Sequence, residues 1–286
     1  MIETLSIIIP EGYNPPTQSD VSAGKNYILR RESAARGLSS LIDGLLKDAA
    51  EKITRLCYQY NIDPRTFQIA ASYNQELFNK IAVILDELED DILDLVTDYS
   101  LRCTESEKRK TAILPWLLLL GRGNKNLRQT LEKRLFMFSR DLEAMIVAQK
   151  NAQNDATKAI TRIKSNLHTA YVMPEMLPAF ANASLFKARY IRSKGVKHGN
   201  VGSSNSEANN IIRFAKTTLQ MAWMRNLRMN YEQKGADGYI VARQSSWDCP
   251  LCDSFVGFHP IEDTESFPPF HPNCVCIAIP IFKTKE

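Results

Sequence analysis

Apolar residues recur at three- and four-residue steps through most of this chain, the period of helices that bury one face. Leu38, Leu41, Ile42, Leu45, Leu46, Ala49, Ile53, Leu56, Cys57 and Tyr60 form one such stripe. Asn61-Ile-Asp-Pro64 is expected to end it, with Asp63 capping a second helix and Pro64 in its first turn. The second stripe runs through Phe67, Ala70, Tyr73, Leu77, Ile81, Ile84, Leu85, Leu88, Ile92, Leu95, Val96 and Tyr99, while Glu87, Glu89, Asp90, Asp91 and Asp94 crowd the outer face. Ala112 to Leu120 is the most apolar stretch, read as a buried helix or a protein contact; about nine residues cannot cross a bilayer core that needs roughly 20. After a break at Gly121-Arg-Gly-Asn124, Leu127, Leu131, Leu135, Phe138, Leu142, Met145, Ile146 and Ala148 mark a third helix.

A polar break at residues 151–155 is followed by Ile160, Ile163, Leu167 and Tyr171 in helical period, stopped by Pro174 and Pro178. Residues 183–192 read as a short helix, and 195–206 as a loop rich in glycine and small polar residues. A last long helix is predicted from Glu207 to about Lys234, with Gly235 at its C-terminal cap. The pattern then changes. Gly238-Tyr-Ile-Val-Ala-Arg243 has strand character, and Val275, Ile277, Ile279 and Ile281 alternate, so a second strand is expected to return beside the first. The first twenty residues, with their Pro, Gly, Asn and Ser, read as an irregular arm carrying no export signal. The expected fold class is mainly α: a long N-terminal helical bundle or hairpin over 1–155, then a small α+β module over 156–286.

Composition changes this picture in two places. Residues 1–155 hold 20 Lys and Arg against 22 Asp and Glu, whereas 156–234 hold 13 against 3, so the net +4 of the chain conceals a basic middle. Arg213, Lys216, Arg225 and Arg228 lie on the last long helix and are candidate contacts for nucleic acid or an acidic protein surface; a solvated helix face is the plainer reading. The second place is chemical. Between Trp247 and Cys276 lie four of the six cysteines and two of the four histidines.

Cys249 and Cys252 form a C-x2-C pair; an eighteen-residue loop leads to His271, Cys274 and Cys276, an H-x2-C with a C-x-C overlapping it. Two short-spaced pairs joined by such a loop bring thiolates and one imidazole to a tetrahedral Zn2+, here a structural ion, one per chain, pinning the strand pair over residues 247–280. Five candidates compete for four places, and the fourth ligand is Cys274 or Cys276. A redox dithiol normally accompanies a βαβ pattern, which is not visible; a pair of disulfides is the alternative for a secreted domain, against which Cys57 and Cys103 stand alone in helical patterns as ordinary buried thiols. No nucleophile–base constellation or phosphate-binding motif is present; His168 and His198 are isolated in sequence. The sharpest enzyme alternative is a zinc-stabilised nuclease using His259 or His271 near Asp253 and Glu262, and a further alternative is a zinc-containing nucleic-acid-binding protein.

The order of a helix RFAKTTLQMAWMRNLRMNYEQKG, a strand YIVARQ, then D-C-P-L-C, Gly257, P-P-x-H-P-N-C-x-C and a hydrophobic strand ending at Pro280 resembles the phage head morphogenesis family that includes the minor head protein F of phage Mu. The similarity spans roughly residues 156–282 and is specific mainly from Arg213 onward. One departure is Val275, where that family commonly has Arg; the candidate ligands are unaffected. The resemblance implies a phage or prophage minor head protein acting in head assembly and DNA packaging or delivery, not an enzyme. Its implied partners are portal and capsid proteins and packaged DNA, with no membrane span and no small-molecule substrate. Its implied location is the bacterial host cytoplasm during assembly and then the virion head, inside or near the portal.

Overall fold

The computed structural model describes residues 9–69, 74–120, 125–168, 206–244, 249–271 and 274–284. It is mainly helical, with a small antiparallel sheet near the C-terminal end. Its helices are α1 (Gln18–Gln59), α2 (Gln75–Leu101), α3 (Glu107–Leu119), α4 (Leu127–Asn151), α5 (Ala156–Asn166), α6 (Glu207–Gln233) and the single turn α7 (Pro250–Asp253). The strands are β1 (Gly238–Ala242), β2 (Gly257–Pro260) and β3 (Ile277–Ile281). The expected short helix at 183–192, the loop at 195–206 up to residue 205, the stripe positions Ala70, Tyr73 and Tyr171, the breaks at 121–124 and Pro174–Pro178, and His198 lie outside the described residues.

The chain forms two compact units, one made of Met1–Gly37, Thr97–Leu117 and Lys216–Glu286, the other of Leu38–Val96 and Leu118–Ala215. Neither is a continuous stretch, and the sequence division at 155/156 falls inside the second. In that second unit, Leu38, Ile42, Leu46 and Ile53 of α1, Leu77, Ile81, Leu88 and Ile92 of α2, and Leu131, Leu135, Phe138 and Leu142 of α4 are all buried, as their stripes require. Glu87, Asp90, Asp91 and Asp94 face solvent. Arg128 of α4 reaches back to Glu89 at 2.7 Å and Asp90 at 2.8 Å. The first turn of α6 is capped from another helix: the Glu207 N–H donates to the buried Asp141 carboxylate at 3.0 Å.

Two local expectations fail for physical reasons. Pro64 does not open a helix. The Asp63 carbonyl closes one turn with the N–H groups of Thr66 and Phe67, after which the Ile69 N–H is taken by the buried Glu143 carboxylate at 2.7 Å instead of by a helical carbonyl. The cap of α2 is Asn74, whose Oδ1 accepts the Leu77 N–H at 3.0 Å. The arm is also shorter than expected, because α1 begins at Gln18 with a reciprocal cap: the Thr17 hydroxyl accepts the Asp20 N–H, and the Asp20 carboxylate accepts the Thr17 N–H.

In the first unit the sheet order is β2-β1-β3, all antiparallel, with Ile240 opposite Phe258 on one side and Ile279 on the other. The expected pairing of the last strand with β1 is present, and β2 adds a third strand from within the cysteine loop. Gly24 of α1 lies over β3, where a Cβ would meet the Ala278 carbonyl oxygen at 3.5 Å. One buried cluster joins Ile28 of α1, Met224, Leu227 and Tyr231 of α6, Tyr239 and Val241 of β1, and Ile277 and Ile279 of β3 with Cys249, Cys252, Cys274 and Cys276. Ile113 and Leu117 of α3 are buried, whereas Leu118 and Leu119 are exposed. No helix among the described residues is long and apolar enough to cross a membrane.

Candidate metal centre

Each side of the centre is built by a short local device. Cys249 precedes α7 in extended backbone, and Pro250 occupies the first helical position, where its fixed φ suits the turn and its missing N–H costs nothing. The Asp253 N–H returns to the Cys249 carbonyl at 2.9 Å, so the i and i+3 sulfurs sit over the same turn. Opposite, the Cys274 N–H donates to the His271 carbonyl at 3.1 Å, shortly before β3.

The intervening loop is held from several directions. The Asp263 carboxylate accepts the N–H groups of Glu265 and Ser266, and its carbonyl accepts the Tyr239 hydroxyl at 2.7 Å. Phe255 and Phe270 stack at 4.2 Å, bringing the two ends of the loop together beside the cysteines. Phe267 packs edge-on against Tyr239.

The five predicted ligands converge as two overlapping groups, Cys249, Cys252 and His271, and Cys252, Cys274 and Cys276, each with its ligand atoms within 4.8 Å of one another. His271 Nε2 lies 3.3 Å from Cys249 Sγ and 3.0 Å from Cys252 Sγ, and Cys252 Sγ lies 4.0 Å from Cys274 Sγ. A tetrahedral ion with bonds of about 2.3 Å to sulfur and about 2.0 Å to nitrogen requires ligand separations of roughly 3.5–3.8 Å. The observed edges bracket that range. These groups therefore lie close enough to hold a metal ion, and four thiols with an imidazole form a soft donor set. All four sulfurs are buried as free thiols.

A hydrogen bond from Cys276 holds the Cys274 thiol down to about 5, and the same bond, with burial, pushes Cys276 up. Burial pushes Cys252 up to about 12. Metal uptake would release such protons, because the thiolate is the ligand. Cys57 and Cys103 are likewise pushed up to about 12 by burial, as inert core thiols are.

The other candidates are dispersed. His259 places Nε2 2.8 Å from the Phe255 carbonyl, turns Nδ1 toward Asp263 at 3.4 Å and stacks on Tyr239. Asp253 pairs with Arg243 at 2.7 Å, and Glu262 is exposed. His168 sits between Asn209 and Asp43, with an oxygen partner at each ring nitrogen. Of the four basic candidates, Arg228 donates to the Ile261 carbonyl at 3.0 Å and pairs with Glu232, so it supports the cysteine loop. Arg225 is exposed, with its guanidinium 4.7 Å from the Trp116 ring centre. Arg213 bonds Asn210 at 3.2 Å, and Lys216 is half-buried.

Sequence reasoning overlooked Arg31, which is 0% exposed and donates from Nη2 to the Cys274 carbonyl at 2.5 Å. The signal was present: Ile28, Arg31, Ala35, Leu38 and Ile42 follow one helical stripe, with an arginine at an inward position. Comparison with family models, with curated proteins and with solved structures finds no match to this chain.

Proposed function

We propose that the chain is a minor head protein of a tailed phage or prophage, whose C-terminal segment is a non-catalytic module clamped by one structural zinc ion. The observation that carries the clamp is the convergence of Cys249, Cys252, His271, Cys274 and Cys276, whose cysteines share one buried cluster with residues of α1, α6 and the sheet. Thiolates and a single imidazole favour Zn2+ over the hard cations, and there are enough donors to fill four positions without water. Cys249, Cys252 and His271 hold three positions, and Cys274 or Cys276 the fourth. The biological role rests on the motif order from Arg213 to Pro280 and its resemblance to phage head morphogenesis proteins.

Native mass spectrometry with metal analysis tests the clamp. One zinc per chain is expected, and Cys249→Ser or Cys252→Ser should lower that stoichiometry and the melting temperature of the first unit, because metal-binding free energy is folding free energy. Unchanged zinc content and melting in both variants would overturn it. For the role, the gene would be co-expressed with the portal and major capsid genes of its own phage or prophage. A few copies retained per purified particle are expected; particles that assemble without retaining it would sink the assignment.

A further inference from the structure

We propose that Arg31 is the counter-charge and positioning residue of the metal centre, tying the first half of α1 to the bound ion. This rests on the reading that the cysteine and histidine cluster holds a divalent cation.

Arg31 is fully buried, and a buried guanidinium is strongly unfavourable unless its charge and its five donors are met. Its Nε and Nη2 reach one oxygen of Glu32 at 3.2 and 2.9 Å, but that oxygen also accepts from Gln220 at 3.2 Å and its side chain is partly exposed. Nη2 takes the Cys274 carbonyl, and Nη1 has no acceptor among the described residues. Among the described residues, this cation is therefore met by one partly exposed carboxylate and one carbonyl, with one of its nitrogens unmet.

The metal centre has the opposite imbalance. A divalent ion with three thiolates and an imidazole carries a net −1, and four thiolates would make it −2. That excess lies in the same apolar cluster, where Ile28, one turn before Arg31, packs with Cys249, Cys252, Cys274 and Cys276. In such surroundings opposite charges attract far more strongly than in water, so the two imbalances offset each other.

The hydrogen bonds add a geometric role. The Cys274 carbonyl is fixed by Arg31 and its N–H by the His271 carbonyl, so both backbone polar groups of this candidate ligand are held. Lysine would supply the charge without the planar fork that reaches Glu32 and Cys274 together.

The test uses the full chain in four forms: wild type, Arg31→Met, Arg31→Lys and Ile28→Val, the last a neutral loosening of the same packing. Zinc affinity is read by competition with a chromophoric chelator, and the cobalt(II)-substituted proteins are compared by absorption, with circular dichroism confirming the fold. Arg31→Met should weaken zinc binding by about 10–100-fold, the usual effect of losing a group that orients a metal ligand. It should also move the thiolate-to-cobalt charge-transfer band to longer wavelength, because removing a nearby positive charge raises the sulfur lone pairs. Arg31→Lys should fall between, keeping the band nearer its wild-type position, while Ile28→Val should lower melting with the band unmoved. Wild-type affinity or an unmoved band in Arg31→Met overturns this proposal alone. A wild-type chain that takes up neither zinc nor cobalt overturns the metal reading and this proposal with it.

Discussion

Gly238 has no room for a methyl group: a Cβ there would stand 2.6 Å from a Phe258 ring carbon and 2.8 Å from the His259 carbonyl oxygen. Gly238→Ala should therefore push β1 and β2 apart and cost about 1–3 kcal/mol in chemical denaturation, the range for overpacking. A substitution within about 0.5 kcal/mol of wild type would show that β2 is not seated as described. Glu143 gives a pH-dependent case. Burial raises its carboxyl above the ordinary range against the Ile69 N–H and Arg140, so the folded state holds its proton more tightly than the unfolded chain does. Its contribution is then fully present below the unfolded value near 4.5 and is lost as pH rises through the folded value. Glu143→Gln should accordingly raise the melting temperature at pH 7, with the advantage shrinking toward pH 4; a pH-independent difference would refute this. At this scale the sequence was legible wherever spacing carried the chemistry, as at Cys249, Cys252 and His271. It was illegible where meaning depends on a distant partner, as with Glu143, whose bond to Ile69 joins two segments that no local pattern connects.

At the scale of elements, the long stripes were easy because one period repeated over many turns averages out local exceptions. Short elements were not. β2 has four residues, two of them Gly257 and Pro260, and nothing in G-F-H-P announces a strand until Tyr239 and Ile240 lie opposite it. Helix α5 shows how much one cap matters: the Asp155 carboxylate accepts the Lys158 N–H at 2.8 Å, and the Lys164 ammonium pairs with Glu51 on α1 at 2.8 Å. Asp155→Ala should destabilise the second unit by about 1 kcal/mol, measured in denaturant, whereas Lys164→Ala should cost well under that because the pair is partly solvated. Equal losses would mean the ion pair is stronger than its exposure allows. The candidate metal centre also divides the thiols by element. With zinc bound, iodoacetamide should label few of the six; chelation should open Cys249, Cys252, Cys274 and Cys276, while Cys57 and Cys103 react only after unfolding. Labelling of Cys57 or Cys103 in the native protein would contradict their placement.

For the whole molecule, the sequence division at 155/156 followed changes of composition, but composition does not reveal which distant segments share a core. The first unit draws on three separate stretches, with Ile28 and Arg31 from the first, Trp116 from the second, and Tyr231 and the cysteines from the third. Tyr13 bridges Lys283, and the Tyr27 hydroxyl donates to the Trp223 carbonyl at 2.5 Å. A fragment of residues 156–286 should thus show poor amide protection around β1 and β3 and bind zinc more weakly than the full chain. Wild-type protection and affinity in the fragment would establish that it folds alone.

That interleaving bears on the order in which a ribosome delivers the parts. Synthesis at about 5–20 residues per second places roughly ten to forty seconds between the emergence of residue 37 and that of residue 216. Through that interval Ile28 and the Arg31 guanidinium have none of their α6 and β3 neighbours, so the nascent helix must wait in solution or on a chaperone with its inward face bare. Cys249, Cys252, Cys274 and Cys276 follow Arg31 by more than two hundred residues, so on the proposed zinc reading the ion would be captured only long after that guanidinium has been made.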